Sequence, residues 1–259
     1  GTTFIYGSVG SLRNTGIELL LNTRNIERKN FLWSTMLTMS YNKNKVTDFG
    51  YLAAPITTGN ALINSDYVKD YPAFSVFAYR YAGLDNAGDP QVHRADGTIT
   101  KVRQDTKPED ISYMGVYQPV WSGGFSNLFR YRNFGFTINM VYNLGHVMFR
   151  DVNKTYTVSN NGSFIENQNF QSGNLHADFA NRWQVAGDEL KTDIPSFLSD
   201  AGANEARDLQ YYIRADRNVL SASYIKIRDM AFSYQVPENM IKRIRLEGLS
   251  FRGQLSNIM

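Results

Sequence analysis

The side chains that most often carry out chemistry are sparse in this chain and are not arranged for catalysis. Cysteine is absent, which excludes thiolate nucleophiles, disulfides and thiolate metal sites. The three histidines, His93, His146 and His176, have no metal-ligand spacing with one another or with acidic residues. No nucleophile-elbow sequence presents a serine for attack. The sequence therefore predicts a protein that is not an enzyme, with no metal and no other cofactor.

Aromatic side chains are the candidates for binding instead. The chain has 16 Tyr and 16 Phe, and several of them fall close together in residues 71–81. Such a group can offer stacking surfaces to sugar rings or to peptide side chains. The other interpretation is packing within a loop or contact with a partner protein, and both stay open here. The ligand-contact candidates are Tyr71, Phe74, Phe77, Tyr79 and Tyr81.

The elements that would position these residues are predicted to be β-strands with one apolar face. From Phe134 to Asn143 apolar and small or polar residues alternate without a fault, and successive side chains of a strand point to opposite faces. In a soluble β-sandwich the apolar face would form the core. In a transmembrane β-barrel it would face lipid. On the barrel interpretation the lipid-facing residues include Trp33, Leu37, Phe134, Phe136, Ile138, Met140 and Tyr142.

The order of the connections favours the barrel. Six strands are predicted, near residues 16–25, 31–45, 119–131, 133–144, 223–236 and 248–257. Their connections are in turn short, long, short, long and short, with the long ones at residues 46–118 and 145–222. All long loops then leave from one rim, as in outer-membrane barrels, which have short periplasmic turns and longer extracellular loops. We predict an all-β fold: part of an antiparallel up-and-down transmembrane β-barrel with long extracellular loops, since six strands are too few to close one.

One strand carries an irregularity in its pattern. Ile225 and Ile227 share one phase, whereas Met230 and Phe232 share the other. An extra residue inserted near Arg228 and Asp229 would reconcile the two phases, so a β-bulge is predicted there. The alternative is that the first half of this strand projects beyond the membrane, where neither face must be apolar.

Composition excludes other classes of protein. The net charge is +3 and no run of five like charges occurs, so nucleic acid is not an expected partner. No apolar run approaches the roughly 18 residues that a membrane helix needs. The chain begins at Gly1 and stops at Met259, just after a strand pattern has begun. We interpret both ends as internal positions of a longer protein.

Several stretches, in the right order, resemble one family. They are LRNTGIELLLNTRNI, FLWSTMLTMSYNKNKV, FSVFAYRYAGLDNAGDPQV, QPVWSGGFSNLFRYRNFGFTINM, SASYIKIRDMAFSYQVP and RIRLEGLSFRGQLSN. They are similar to the N-x-G-x-E and N-x-S-x-N-K-N strands, the aromatic-Gly-Leu-Asp loop, the P-x-x-x-G-G hairpin and the late barrel strands of SusC/RagA TonB-dependent outer-membrane transporters. The resemblance covers nearly the whole chain.

The resemblance implies a function and partners for the parent protein. It implies a barrel of about 22 strands in the cell outer membrane, filled by an N-terminal plug and powered through the TonB complex. A SusD-like surface lipoprotein would act as a lid, and oligosaccharides or peptides would be imported. Residues 1–259 are expected to be a barrel fragment without the plug, the TonB-contacting segment and the final strands. The alternatives are a soluble or surface aromatic-rich β-sandwich that binds ligands, and a structural barrel without transport.

Overall fold

The computed structural model describes residues 10–49, 55–102, 104–152, 177–197, 207–242 and 246–258. The strands are β1 (Gly10–Arg28), β2 (Phe31–Phe49), β3 (Ser75–Tyr79), β4 (Tyr81–Leu84), β5 (Pro90–His93), β6 (Ile99–Thr100), β7 (Ile111–Val116), β8 (Trp121–Tyr131), β9 (Phe134–Leu144), β10 (Val147–Phe149), β11 (Val219–Ser221), β12 (Tyr224–Gln235) and β13 (Ser250–Ile258). Short α-helices lie at Gly59–Ile63, Gln210–Ile213 and Glu238–Ile241. Single 3-10 turns lie at Pro108–Asp110, Ala177–Asn181, Asp188–Leu190 and Asp216–Asn218. The fold is therefore all-β, as the alternation of apolar residues predicts.

The chain divides into two compact units. The loop unit comprises Gly1–Leu12, Lys45–Tyr117 and Val147–Ser221, and the sheet unit comprises Arg13–Asn44, Gln118–His146 and Ala222–Met259. The two long connections of the sequence thus belong to one unit, and nearly all of the long strands to the other.

The sheet unit is a six-stranded sheet in the order β1-β2-β8-β9-β12-β13, with antiparallel pairing from β2 to β13. Strands β8 and β9 join through a two-residue turn, since Tyr131 pairs with Phe134 and Arg132 has a positive φ of 51°. At the other end Trp121 pairs with both Tyr41 and Leu144. The strand ends that lead into and out of both long connections therefore lie at one end of the sheet.

The register from β2 to β13 sorts the side chains into two faces. One face is mostly apolar. Its paired residues form rows that cross the sheet from β2 towards β13: Phe31-Tyr131-Phe134-Tyr234-Phe251, Trp33-Phe129-Phe136-Phe232-Gly253, Thr35-Asn127-Ile138-Met230-Leu255 and Leu37-Phe125-Met140-Ile227. The opposite face is mostly small or polar, with Leu32, Met36, Leu128 and Val141 as exceptions. It carries a hydrogen-bond chain in which Ser126 donates to Asn139 (2.6 Å) and Asn139 donates to Asp229 (2.8 Å). Asn127, the one amide in these apolar rows, is buried and accepts hydrogen bonds from Trp33 Nε1 and Thr35 Oγ1, each at 2.8 Å.

The predicted β-bulge in β12 is confirmed. Ile227 pairs with Met140 but Asp229 pairs with Asn139, so Arg228 is the extra residue against β9. The insertion keeps Ile227 and Met230 on the same apolar face although they are three positions apart, an offset that puts two residues of a regular strand on opposite faces.

A glycine and a tyrosine interlock between β2, β8 and β9. The hydroxyl of Tyr142 donates to the carbonyl oxygen of Thr38 at 3.1 Å. The ring passes over Gly123, where a Cβ atom would lie 2.5 Å from the tyrosine oxygen and 2.7 Å from Cζ. The ring can take this position only because glycine has no side chain.

The loop unit is built from short sheets, β3-β7, β4-β5-β6 and β10-β11, around tyrosines. Tyr79, Val92 and Tyr211 form one buried cluster, and Val152 and Tyr212 form a second. No helix in the described part of the chain is long and apolar enough to cross a membrane.

Candidate functional site

Three aromatic rings of the loop unit meet in one cluster, which we call the aromatic platform: Tyr71, Phe77 and Tyr113. The ring centroids of Tyr71 and Phe77 lie 5.0 Å apart, those of Tyr71 and Tyr113 5.2 Å, and those of Phe77 and Tyr113 5.8 Å. Phe77 is only 2% exposed, whereas Tyr71 and Tyr113 are 38% and 44% exposed. The platform therefore has a buried base and two tyrosines that face solvent.

The pairing of β3 with β7 positions two of the three rings. Phe77 pairs with Tyr113, but the preceding pair is Val76 with Gly115, so Met114 is an extra residue in β7. Gly115 takes a φ of 134°, which suits a glycine at a bulge. The bulge sets the register that places Tyr113 opposite Phe77.

The third ring is fixed by an unusual backbone. Asp70 has a positive φ of 71°, a conformation that costs energy for a residue other than glycine and persists only where surrounding contacts hold it. Two hydrogen bonds to Val46 provide that hold, from Asp70 N to Val46 O and from Val46 N to Tyr71 O, each at 2.9 Å. The side chain of Asp70 pairs with Lys45 at 2.8 Å, and the hydrogen bond from Lys45 lowers the pKa of this carboxyl.

A second aromatic pair shares the same segment. The centroids of Tyr67 and Phe74 lie 5.3 Å apart. Phe74 has a positive φ of 56°, and its backbone donates to Asp66 O at 2.6 Å and accepts from Tyr117 N at 3.1 Å. Strained residues held in this way cluster at binding sites.

The electrostatics of the aromatic platform suit the binding of a neutral ligand. Partial burial raises the pKa of Tyr113, a hydrogen bond with Ser75 opposes this, and the neighbouring Tyr71 adds to the rise. The Tyr113 phenol is therefore protonated at neutral pH. It can stack through its ring and exchange hydrogen bonds through its hydroxyl.

The structure separates the five aromatic residues singled out from the sequence. Tyr79 is 1% exposed, packs on Tyr211 with centroids 4.8 Å apart, and has a raised pKa because it is buried. Burial likewise raises the pKa of Tyr211 to about 12. Tyr81 packs beside Tyr212, and its hydroxyl donates to the carbonyl oxygen of Asp193 at 2.8 Å. Both candidates are thus engaged in packing in this structure.

Sequence reasoning missed Tyr113. It lies more than thirty residues beyond the cluster that suggested the site, and only the pairing of β3 with β7 brings it to Phe77. Tyr113 lies in the short stretch ISYMGV, whose β-branched and aromatic residues could have marked a strand but could not have identified its partner strand.

A network of ion pairs and hydrogen bonds joins the first long connection, residues 46–118, to the second, residues 145–222. Arg207 pairs with Asp89 at 3.5 Å and donates to Ser196 Oγ at 3.0 Å and Ser196 O at 2.7 Å. Asp89 also pairs with Lys101 at 3.0 Å, and Lys101 contacts Asp85. Burial opposes ionisation of Asp85, but hydrogen bonds from Lys101 and from backbone amides outweigh it and leave its pKa below the usual range. The network links the two long connections within the loop unit that carries the platform.

Metal binding has no support among the residues that the structure describes, where no group of three His, Asp or Glu side chains could hold an ion. Neither His93 nor His146 belongs to a group of this kind, and His176 lies outside the described residues.

No family model matches the chain. It is 26% identical over 261 residues to the TonB-dependent receptor P3 of Formosa agariphila, a match that covers 93% of this chain and 23% of that protein. It is 25% identical over 250 residues to the TonB-dependent receptor P26 of the same organism, a match that covers 89% of this chain and 23% of that protein. Its fold matches the RagAB peptide transporter with a TM-score of 0.68 at 19% identity, over 97% of this chain and 26% of that one. The closed-closed state of the RagAB peptide importer gives a TM-score of 0.67 at 18% identity, over 97% of this chain and 26% of that one. The chain spans about a quarter of the length of these proteins.

Proposed function

We propose that the chain is a segment of a TonB-dependent receptor, as the resemblance predicts, and that its sheet unit forms part of the wall of an outer-membrane β-barrel. In this proposal the apolar face meets lipid and the polar face lines the lumen. Trp33, Leu37 and the apolar residues of β9 are then lipid-facing, and the two long connections lie at the cell exterior.

The distribution of charge carries this proposal. The paired rows from β2 to β13, together with the unpaired bulge residue Arg228, contain five charged residues, and none of them interrupts the apolar face. They lie on the polar face or at the bulge: Arg130, Lys226, Arg228, Asp229 and Arg252. A charge on the lipid face costs about 2–4 kcal/mol near the midplane for Arg or Lys, so a lipid-facing surface excludes it.

The exposure of the apolar face argues against the soluble β-sandwich. A sandwich buries its apolar face against a second sheet. Here Phe232, Phe251 and Leu255 are 52%, 60% and 64% exposed. Transfer of such a face into hydrocarbon removes this exposure without a second sheet.

The remainder of the parent protein is part of the same proposal. Strands β1 and β13 are the edges of the sheet, and open edges are not tolerated in hydrocarbon, so further strands of the parent would pair with both. We expect a barrel of about 22 strands with an N-terminal plug, coupling to the TonB complex through the plug region, and a SusD-like lipoprotein lid.

The proposed cargo is an oligosaccharide or a peptide that contacts the aromatic platform. Tyr71 and Tyr113 offer two adjacent exposed rings over the buried Phe77. Flat, neutral rings with hydroxyl groups suit sugar faces and peptide side chains alike.

The test is uptake by cells that express the parent receptor. Radiolabelled mixtures of peptides and of oligosaccharides are supplied to wild type, to the variant Tyr71→Ala/Tyr113→Ala, and to the control Tyr117→Ala. Tyr117 is similarly exposed and has no ring contact among the described residues. Loss of about 1.4 kcal/mol of binding free energy would weaken apparent affinity about tenfold in the double variant. Equal uptake of one mixture by all three proteins would reject the platform as the ligand contact for that class.

A further inference from the structure

The two-residue turns of the sheet carry cationic side chains that no carboxylate balances. Arg28 and Lys29 stand at the turn from β1 to β2, and Arg132 stands at the turn from β8 to β9. All three are exposed, and none has an acidic partner among the residues that the structure describes. Glu27, the acidic residue next to the first turn, pairs instead with Arg24 at 3.1 Å. We call the three cations the basic rim.

A hydrogen bond between the two turns brings the cations of the basic rim together. The backbone nitrogen of Arg132 donates to the carbonyl oxygen of Asn30 at 2.8 Å, so Lys29 and Arg132 stand on turns in direct contact. The Cζ atom of Arg132 lies 5.5 Å from the centroid of the Tyr131 ring, within the range of a cation-π contact. Because Tyr131 belongs to the apolar face, this contact places the guanidinium beside that face.

A complete row of aromatic side chains lies next to the basic rim. The row consists of Phe31, Tyr131, Phe134, Tyr234 and Phe251. Aromatic side chains of membrane proteins concentrate at the boundary between hydrocarbon and lipid headgroups. Lys29 precedes Phe31 by two residues, which is at most roughly 7 Å of backbone. Cations at this distance from the row reach the level of the headgroups.

We propose that the basic rim binds the headgroup of an anionic phospholipid in the periplasmic leaflet of the outer membrane. The inference rests on the proposed function, which places the apolar face in lipid and the long connections at the cell exterior. A guanidinium donates paired hydrogen bonds to a phosphate, and the lysine ammonium adds a point charge. A zwitterionic headgroup offers the same phosphate but carries a cation of its own, which the rim repels. The lipid with a net negative charge is therefore preferred.

The experiment is photo-cross-linking of lipids to the full-length parent receptor in vesicles of phosphatidylcholine. Trace phosphatidylglycerol or trace phosphatidylcholine is added, each with the same photoactivatable group in its acyl chain. Mass spectrometry quantifies the links to peptides that contain Phe31 or Phe134. The ratio of the two yields measures the preference for the anionic lipid at the basic rim.

The variant Lys29→Gln/Arg132→Gln removes two cations from the basic rim. Lys69→Gln/Lys191→Gln removes two exposed cations from the loop unit and is the matched control. One cation near an anionic membrane surface changes affinity about fivefold, the equivalent of about 1 kcal/mol. We expect the preference to fall at least about tenfold in the rim variant and to stay unchanged in the control. The variant Lys29→Arg/Arg132→Lys keeps both charges and should keep the preference.

The wild-type receptor supplies a second measurement that needs no variant. Exposed charges are screened at about 1 M salt, where the Debye length is about 3 Å, so the preference should weaken there. A preference that resists this salt concentration would overturn the proposal even if the rim variant fails to fold. An equal preference in the wild type and a folded rim variant would overturn it as well.

The neutral lipid separates this inference from the proposed function. Equal links from both lipids in the wild type would show that the aromatic row meets lipid and would refute only the preference for negative charge. Absence of links from either lipid would overturn the inference together with the barrel wall. A spin label in place of Ile138 checks the wall independently, since shielding both from oxygen dissolved in the bilayer and from a water-soluble nickel reagent would refute it.

Discussion

Replacement of Gly123 by alanine tests whether the glycine and tyrosine interlock stabilises the sheet. The added Cβ would overlap the carbonyl oxygen of Thr38 and would lie 2.5 Å from the hydroxyl oxygen of Tyr142. Real Cβ atoms do not make contacts this short, so either the ring or the strand must move. Movement of the ring breaks its 3.1 Å hydrogen bond to Thr38.

The cost follows from two contributions. Loss of a hydrogen bond between neutral groups costs about 1 kcal/mol. Overpacking by one methyl group in a site that cannot expand costs about 1–3 kcal/mol. Gly123→Ala should therefore lower the free energy of unfolding of the parent barrel by roughly 2–4 kcal/mol.

Urea unfolding of the parent receptor in lipid vesicles, followed by tryptophan fluorescence, measures this difference. Gly253→Ala is the matched control, because a Cβ at Gly253 meets no described atom within 4 Å. Tyr142→Phe keeps the ring and removes only the hydroxyl, so it should cost about 1 kcal/mol. If Gly123→Ala and Gly253→Ala destabilise the barrel equally, the interlock has no energetic role and the reasoning is wrong.

Three further predictions concern the two faces of the wall, the long connections and the ionic network. Ile138→Arg should lower the free energy of unfolding of the parent barrel by about 2–4 kcal/mol, and Asn139→Arg should lower it much less. A larger cost at Asn139 in the same urea assay would mean that the face assigned to lipid and the face assigned to the lumen are exchanged. Single cysteines at Lys69 and Leu190 should both react with an impermeant maleimide on intact cells, and reaction at only one site would contradict a shared exterior location. Arg207→Leu should remove one cationic partner of Asp89 and both hydrogen bonds to Ser196, and because Lys101 remains paired with Asp89 it should cost less than the roughly 3–5 kcal/mol of a fully unpaired buried charge; the loss should appear as faster hydrogen exchange in the loop unit, whereas Lys69→Leu should leave exchange unchanged.

The sequence by itself determined the six long strands of the sheet and the apolar face of strands such as β9. Alternation with a period of two follows from the backbone geometry of a strand, so a run such as Phe134 to Asn143 reveals both the element and its apolar side. The phase change at Arg228 likewise predicted the bulge, because a bulge is a local insertion that leaves a local mark on the pattern.

Only the tertiary structure decided which aromatic residues of the long connections face solvent. Tyr71 and Tyr79 look alike in the sequence, but one lies on the platform and the other is buried against Tyr211. Tyr113 joined the platform through the pairing of β3 with β7, and Arg207 joined Asp89 across more than one hundred residues. Contacts between distant segments depend on how the chain folds back on itself, and a local pattern of residue types holds no information on that.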